Sequence, residues 1–370
     1  MAFQRVRGMR IRRAFDLQVQ VVGESTLLLS PREGVIYRGR ALKNSVLNLL
    51  LTELGCWTDI DQAVRRLVEL DGGAPESARA RVNQLIESRL LVSDEDSTQR
   101  DVFAGAESWG HYGWAEAFAY HAAADAVRRV DYTTQDGQRH DVAAMRKYVA
   151  ESPAPPVYMP SASEEVFPLG PPRTELGAYT AELLADGSPS ARAGRALSGE
   201  ELSTLLWYGF GRTGTKKLPV TGEHLLKTSP SGGSRHPTEA YLVVLNSPDV
   251  PLGIHHYSVR DHALEFITGD VERAWVDRNV IGKPEWTACA PTAVLILTSR
   301  VELNMYRYRE NYSYRPVHHD VGHLVETTSL VARAIGCRTF SGYSVDERAV
   351  ASKLGNARLL NPAMAFILLS

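Results

Sequence analysis

Residues 231–237 read Ser-Gly-Gly-Ser-Arg-His-Pro and lead directly into the strand-like run Thr238–Val244. Glycine has no Cβ, so Gly232 and Gly233 permit another group to approach the backbone closely, at a cost to any strand built from them. Together with Ser231 they suit a flat ring lying against backbone amides. Arg235 adds a cation for an anionic group such as a phosphate. A second stretch, Gly336–Tyr343, gives a strand-like piece ending in Ser341-Gly342, where a backbone N–H can meet the edge of such a ring.

Three other stretches carry chemistry-bearing side chains. Residues 305–316 pack Tyr306, Tyr308, Tyr312 and Tyr314 among Arg307, Arg309 and Arg315. They read either as a surface strand with alternating faces or as a site offering phenols and guanidinium cations. Residues 318–323 place His319 and His323 four apart, a spacing that can bind zinc. There is no Cys or Glu partner at zincin spacing and Gly322 interrupts the run, so no metal is assigned; Asp320 and the histidines suit a helix start or substrate contacts. Residues 209–214, Gly-Phe-Gly-Arg-Thr-Gly, match G-x-G-x-x-G. They follow a helical pattern rather than a strand, which argues against a dinucleotide turn and for a loop leaving a helix.

The elements that must position these residues follow from periodicity. Leu17, Val19 and Val21 alternate with polar residues, as in short strands joined by turns. Three helical patterns come next, over 41–54, 59–70 and 74–92, the second opened by Asp59 as cap. Strands followed by three small helices predict a winged-helix-like domain over residues 1–98, closed by the acidic run 93–98. Residues 99–180 combine an aromatic helical stretch with a proline-rich extended connector, a linking region that wraps the next domain. From 181 to 370 strands and helices alternate with irregular insertions, which predicts an α+β fold. Ser198 and Glu201 form a capping box, 321–335 is an amphipathic helix stopped by Gly336, and 363–370 is a final strand.

Composition narrows the function classes. With 370 residues, 44% hydrophobic and 23% charged, the chain has room for two or three domains of ordinary globular type. A net charge of −2 gives no general attraction to nucleic acid or anionic membranes, and no apolar run reaches spanning length. The basic segment 5–15 reads as a solvated arm. Cys56, Cys289 and Cys337 lie far apart without a disulfide-type or CxxC spacing, and the N-terminus has no apolar signal core, so a cytoplasmic location is expected.

The order of these motifs resembles the SagB-type, nitroreductase-fold flavin oxidoreductases, a family that includes azoline dehydrogenases of peptide-modifying gene clusters. The resemblance runs from about 180 to 370, through SGEELSTLLWYGFG, SPSGGSRHPTEAYLVV and YRYRENYSYRPVHHDVGHLVETTSLVARAIGCRTFSGY. It implies an FMN-binding α+β fold with a mainly antiparallel central sheet flanked by helices, dimeric, the flavin held at the subunit interface. Carried over position by position, Ser231, Gly232, Gly233 and Arg235 line the flavin ring, and Ser341 and Gly342 face its other edge. For the flavin phosphate the nearest candidates are Arg192 and Arg195, in a stretch that lacks the family's usual Arg-Arg-Ser run. Azoline dehydrogenases resemble one another in a Lys-Tyr pair where this chain has Arg307-Tyr308. Arginine stays protonated and cannot act as the base, which leaves Tyr308 as the proton-transfer candidate and Arg307 to orient or stabilise an anion.

The N-terminal domain resembles the winged-helix peptide-binding elements of such clusters, which would hold a leader peptide by strand addition; a packing or dimerisation domain is the alternative. The expected function is FMN-dependent oxidation of a thiazoline or oxazoline ring in a ribosomally made peptide to the azole, by a homodimer with a possible partner cyclase. The opposite direction, NAD(P)H-driven reduction of dehydroamino acids, and a flavin-free peptide-binding scaffold are the rivals.

Overall fold

The computed structural model describes all residues except 1–7, 23–24, 31, 33–34, 40–43, 128–129, 162, 178–182, 185–193 and 288–289. The chain divides into two compact units, Met1–Arg129 with Glu310–Tyr312, and Val130–Arg309 with Ser313–Ser370.

The first unit begins with β1 (Arg10–Arg13), β2 (Gln18–Val22), β3 (Ser25–Ser30) and β4 (Val35–Gly39). The predicted strands β2–β4 form an antiparallel meander, while β1 pairs antiparallel with the short strands β5 (Thr58–Asp59) and β6 (Leu91–Ser93). The three expected helices are present: α1 (Asn44–Asn48), which runs on into a π-helical turn, α2 (Ile60–Asp71) and α3 (Pro75–Glu87). Asp59 caps α2 as read from sequence, its Oδ1 accepting from the Asp61 and Gln62 amides at 2.9 and 3.3 Å. Ile60, Val64 and Leu67 of α2 and Val82 of α3 bury their stripes with Ile11, Leu49, Leu50 and Leu90. The acidic run does not end this unit. Asp96 caps α4 (Ser97–His111), which is followed by α5 (Ala115–Asp125); Phe103 and Phe118 of these helices stack edge-on against Phe15 at 6.0 and 5.2 Å.

The second unit opens with α6 (Gln135–Glu151), a helix with no buried residues, and an irregular proline-rich segment. Its sheet has seven strands, every neighbouring pair antiparallel. In spatial order these are β14 (Thr339–Gly342), β15 (Ala363–Leu369), β13 (Ala293–Ser299), β10 (Thr238–Val244), β11 (Gly253–Ser258), β12 (Ala263–Thr268) and β7 (Val166–Pro168). The apolar runs read as strands are β10, β13 and β15. They are apolar on both sides because the sheet is covered on both sides. One face packs α7 (Gly199–Phe210) and α10 (Tyr314–Ala334) through Leu202, Leu206, Phe210, Leu324 and Val331. The other face buries Tyr241, Val243, Ile254 and Phe366 against α8 (Arg273–Val276) with the turn after it, and against α11 (Glu347–Leu354). This is the α+β architecture expected.

Three local readings change. The Tyr/Arg-rich stretch is not a surface strand: α9 (Glu302–Arg307) and the start of α10 divide it. His318–His323 lie within α10 rather than at its start, so Asp320 does not cap that helix. The G-x-G-x-x-G stretch leaves α7 as expected, but it enters a hairpin of β8 (Arg212–Leu218) and β9 (Gly222–Lys227). Gly209 lets α7 close on α10, since a Cβ there would lie 2.7 Å from the Thr328 hydroxyl. The capping box at Ser198 and Glu201 is formed.

Candidate active site

The loop from Ser231 to Pro237 joins β9 to β10 and includes one 3-10 turn, Gly232–Ser234. Asp320, buried on α10, holds it. Its Oδ2 accepts from the Ser231 hydroxyl at 2.5 Å and its Oδ1 from the Gly232 amide at 3.1 Å, while Ser231 Oγ accepts from the His236 amide at 2.8 Å. Burial raises the Asp320 carboxyl above the usual range, against the two loop donors, which lower it. Asp320 therefore clamps the loop, a role that the sequence reading, helix capping or substrate contacts, did not include.

Gly233 has φ +62°, and a Cβ there would collide with the Tyr308 hydroxyl. Gly232 meets Pro316 of α10 in the same way, at 3.0 Å. The close approach that these glycines permit is thus made by the protein's own Tyr308 and Pro316. Ser231, Gly232 and Gly233 build the loop, and Arg235 is the member whose side chain remains available. Its Nη2 donates to His224 Nε2 at 3.4 Å, and its Nε, buried, has no partner among the described residues. Burial lowers the guanidinium, and the Tyr308 oxygen beside it acts in the opposite sense. His224 Nε2 also faces the Thr221 hydroxyl at 2.7 Å, and burial, then the Arg235 charge, keeps the imidazole neutral. Arg235 and His224 line a cleft of about 40 Å³ with Pro155, Val157 and Tyr306.

Arg307 and Tyr308 end α9, and the two are separated in role. Arg307 forms a two-pronged ion pair with Asp141 of α6, at 2.8 and 2.9 Å, and its guanidinium carbon lies 4.8 Å from the Tyr308 ring centre. Its charge is spent on the scaffold while the Tyr308 hydroxyl points to the loop. Asp141 gave no signal in the sequence, because its partner lies 166 positions away.

Other predicted positions fall elsewhere. Ser341 and Gly342 lie on β14, at the same end of the sheet as the loop but three strands from β10, about 14 Å across. Gly342 gives room to Phe366, whose ring carbon would lie 2.5 Å from a Cβ. Arg195 is engaged before α7: its Nη1 donates to Glu201 at 2.7 Å and its Nη2 to the Ile335 carbonyl at 3.0 Å. Arg192 lies outside the described residues.

A second polar group, unread in the sequence, flanks the loop on the β9 side. Across β10, β11 and β12, His256 sits between Glu239 (3.3 Å) and Glu265 (3.0 Å), and Arg300 reaches Glu239 at 3.4 Å. Both ring nitrogens face carboxylates, so the imidazole is doubly protonated. Burial opposes that charge, but the two carboxylates outweigh it and raise His256 to about 9. The segment Ala154–Met159 crosses above, held by Arg300 to the Pro156 carbonyl (2.8 Å) and Arg212 to the Tyr158 hydroxyl (2.9 Å).

No protein-family model matches the sequence. The trifolitoxin-processing protein TfxB of Rhizobium leguminosarum bv. trifolii is 30% identical over 258 residues, 68% of this chain and 69% of TfxB. The chain belongs to the SagB-type, nitroreductase-fold family. A Methanocaldococcus jannaschii protein described as a nitroreductase is 31% identical over 141 residues, 38% of this SagB-type chain and 66% of that protein. Among solved structures, one from Anabaena variabilis, also described as a nitroreductase, matches with TM-score 0.47 and 20% identity, over 63% of this chain and 45% of its own. Among the described residues no helix is long and apolar enough to cross a membrane, and no cluster of His, Cys, Asp and Glu could hold a metal ion.

Proposed function

We propose that this SagB-type protein is an FMN-dependent oxidoreductase that modifies a ribosomally made peptide, by two-electron oxidation of a thiazoline or oxazoline ring to the azole. The observation that carries the flavin is Arg235: a half-buried guanidinium whose buried Nε–H has no hydrogen-bond partner among the described residues, on a clamped loop, fits an anionic acceptor such as the flavin's carbonyl or phosphate oxygens. FMN supplies the hydride-accepting chemistry when bound. Arg235 would hold it, with the loop backbone beside it and Ser341 and Gly342 at a further edge, on this chain or the second chain of a homodimer. Arg195, tied to Glu201, and Arg192 are the remaining arginines proposed for the phosphate. Tyr308 is the proton-transfer group of the loop, and Arg307, paired to Asp141, fixes it in place. The trifolitoxin-processing relative supports a peptide substrate, which residues 1–98 would engage by strand addition; a cyclase partner would supply the azoline.

Heat release of the cofactor from purified protein, followed by chromatography against standards, is expected to yield FMN. The Arg235→Ala variant is expected to fold and to bind flavin more weakly by roughly 1.5–3 kcal/mol, the worth of a charged hydrogen bond. FAD, or no flavin after reconstitution, would overturn the reading.

A further inference from the structure

The cleft that holds Arg235 is closed on one side by an irregular segment. Residues 152–160 read Ser-Pro-Ala-Pro-Pro-Val-Tyr-Met-Pro. Ser152, Ala154, Pro155 and Met159 each precede a proline, which keeps them extended. From Pro153 to Met159 there is no helix or strand and no fully buried side chain. Among the described residues, that stretch makes no hydrogen bond from main chain to main chain.

Side chains of the same unit hold it instead. The Tyr306 hydroxyl donates to the Ser152 carbonyl at 3.0 Å, and Arg300 Nη2 to the Pro156 carbonyl at 2.8 Å. Arg212 donates to the Tyr158 hydroxyl at 2.9 Å, and the Arg260 guanidinium carbon lies 4.8 Å from the centre of that ring. Two main-chain carbonyls, which any peptide offers, and one side chain thus carry the polar grip. We propose that the strip formed by Tyr306, Arg300, Arg212 and Arg260 binds the substrate peptide, and that residues 152–159 are a place-holder which an extended peptide displaces. The proposal rests on the peptide-substrate reading given above.

The strip and the Arg235 cleft are continuous. Tyr306 belongs to both, and Ala154, Pro155 and Val157 wall the cleft opposite Arg235 and His224. With that wall in place the cleft holds about 40 Å³. That is room for a few waters, and far short of the ~150 Å³ that admits one aromatic ring. A ring that enters from this side needs the wall moved, and moving the segment breaks no main-chain hydrogen bond. Arg212 and Arg260 pair with no carboxylate among the described residues, so the strip favours a neutral or acidic peptide over a basic one.

The probe is a fluorescein-labelled synthetic copy of residues 152–160, followed by fluorescence anisotropy. In wild type the tethered segment competes with it at an effective concentration of about 1 mM, so the probe binds weakly. Tyr158→Ala loosens the tethered copy and leaves the probe whole. It is expected to tighten probe binding about tenfold or more, the strength of a hydrogen bond to a charged group. Tyr158→Phe keeps the ring beside Arg260 and should give a smaller gain. Arg212→Ala strikes the tethered copy and the probe alike. Alone it should leave probe binding near wild type, and combined with Tyr158→Ala it should cancel the gain. All these changes lie on exposed or half-buried residues and should keep wild-type thermal unfolding. An unlabelled synthetic azoline peptide free of Lys and Arg is expected to displace the probe from the Tyr158→Ala protein. Equal probe affinity for wild type and both Tyr158 variants, or an azoline peptide that leaves the probe bound, overturns the proposal. Anisotropy needs neither flavin nor turnover, so a protein that exchanges the probe yet oxidises no azoline would keep this surface and lose the oxidoreductase reading.

Discussion

The residues proposed for the chemistry, Arg235 and Tyr308, could be singled out in the sequence because both stand inside dense motifs of small or aromatic residues. Asp141, the loop-clamping role of Asp320 and the Glu239–His256–Glu265 row could not be, because each depends on partners brought in from other elements of the fold. Tyr308→Phe keeps the ring against Gly233 and removes only the hydroxyl. It is expected to leave flavin content unchanged and to lower turnover by roughly 10²–10⁴-fold; wild-type turnover would move the donor to another group, with His318 and His319 next to be tested. His256 makes a separate prediction. Its folded pKa, about 9, stands above the ordinary imidazole value near 6.5, so its contribution to stability is complete below that value and is lost as pH rises through about 9. The stability gap between wild type and His256→Gln should therefore narrow by something on the order of 3 kcal/mol between pH 6.5 and 9.5 in chemical denaturation. Parallel curves would show that the ring does not titrate with its two carboxylates.

Elements with a strong apolar period were readable. The α2 stripe, the α10 face ended by Gly336 and the apolar runs of β10, β13 and β15 all appear where the pattern puts them. The misses share a cause. Helix α6 buries no residue and is tied down by ion pairs such as Asp141–Arg307 and Glu151–Arg309, so it carries no hydrophobic signal. The β8–β9 hairpin is mostly exposed on β8, and its glycines disguise a strand as a loop. In residues 305–316 the alternation of Tyr and Arg imitates a strand, whereas contacts to α6 and to the loop determine a short helix. The loop is itself testable as an element. Gly233→Ala places a Cβ in the left-handed region and against the Tyr308 hydroxyl, two costs that together should lower stability by about 2–3 kcal/mol in thermal or urea unfolding. A Gly233→Ala, Tyr308→Phe double variant should recover part of that loss, since the hydroxyl is the obstructing group. No recovery would mean that backbone strain alone sets the cost.

At the scale of the molecule, two units with separate cores are joined in one chain, one of short strands and helices and one with the sheet that carries the loop. A composition without marked charge or membrane character says little about function when the residues proposed for the chemistry are a few at one end of one sheet. Motif order across residues 180–370 was enough to indicate the family, while the direction of electron flow depends on the substrate and the oxidant or reductant supplied, which no motif encodes. The central claim, two-electron oxidation of a peptide-borne azoline, is tested most directly by incubating the flavin-loaded protein with a synthetic azoline-containing peptide under air and measuring the peptide by mass spectrometry. The account predicts a loss of about 2 Da per ring converted. An unchanged mass with loaded flavin, or a gain of about 2 Da when NAD(P)H is supplied with a dehydroamino-acid peptide, would contradict it.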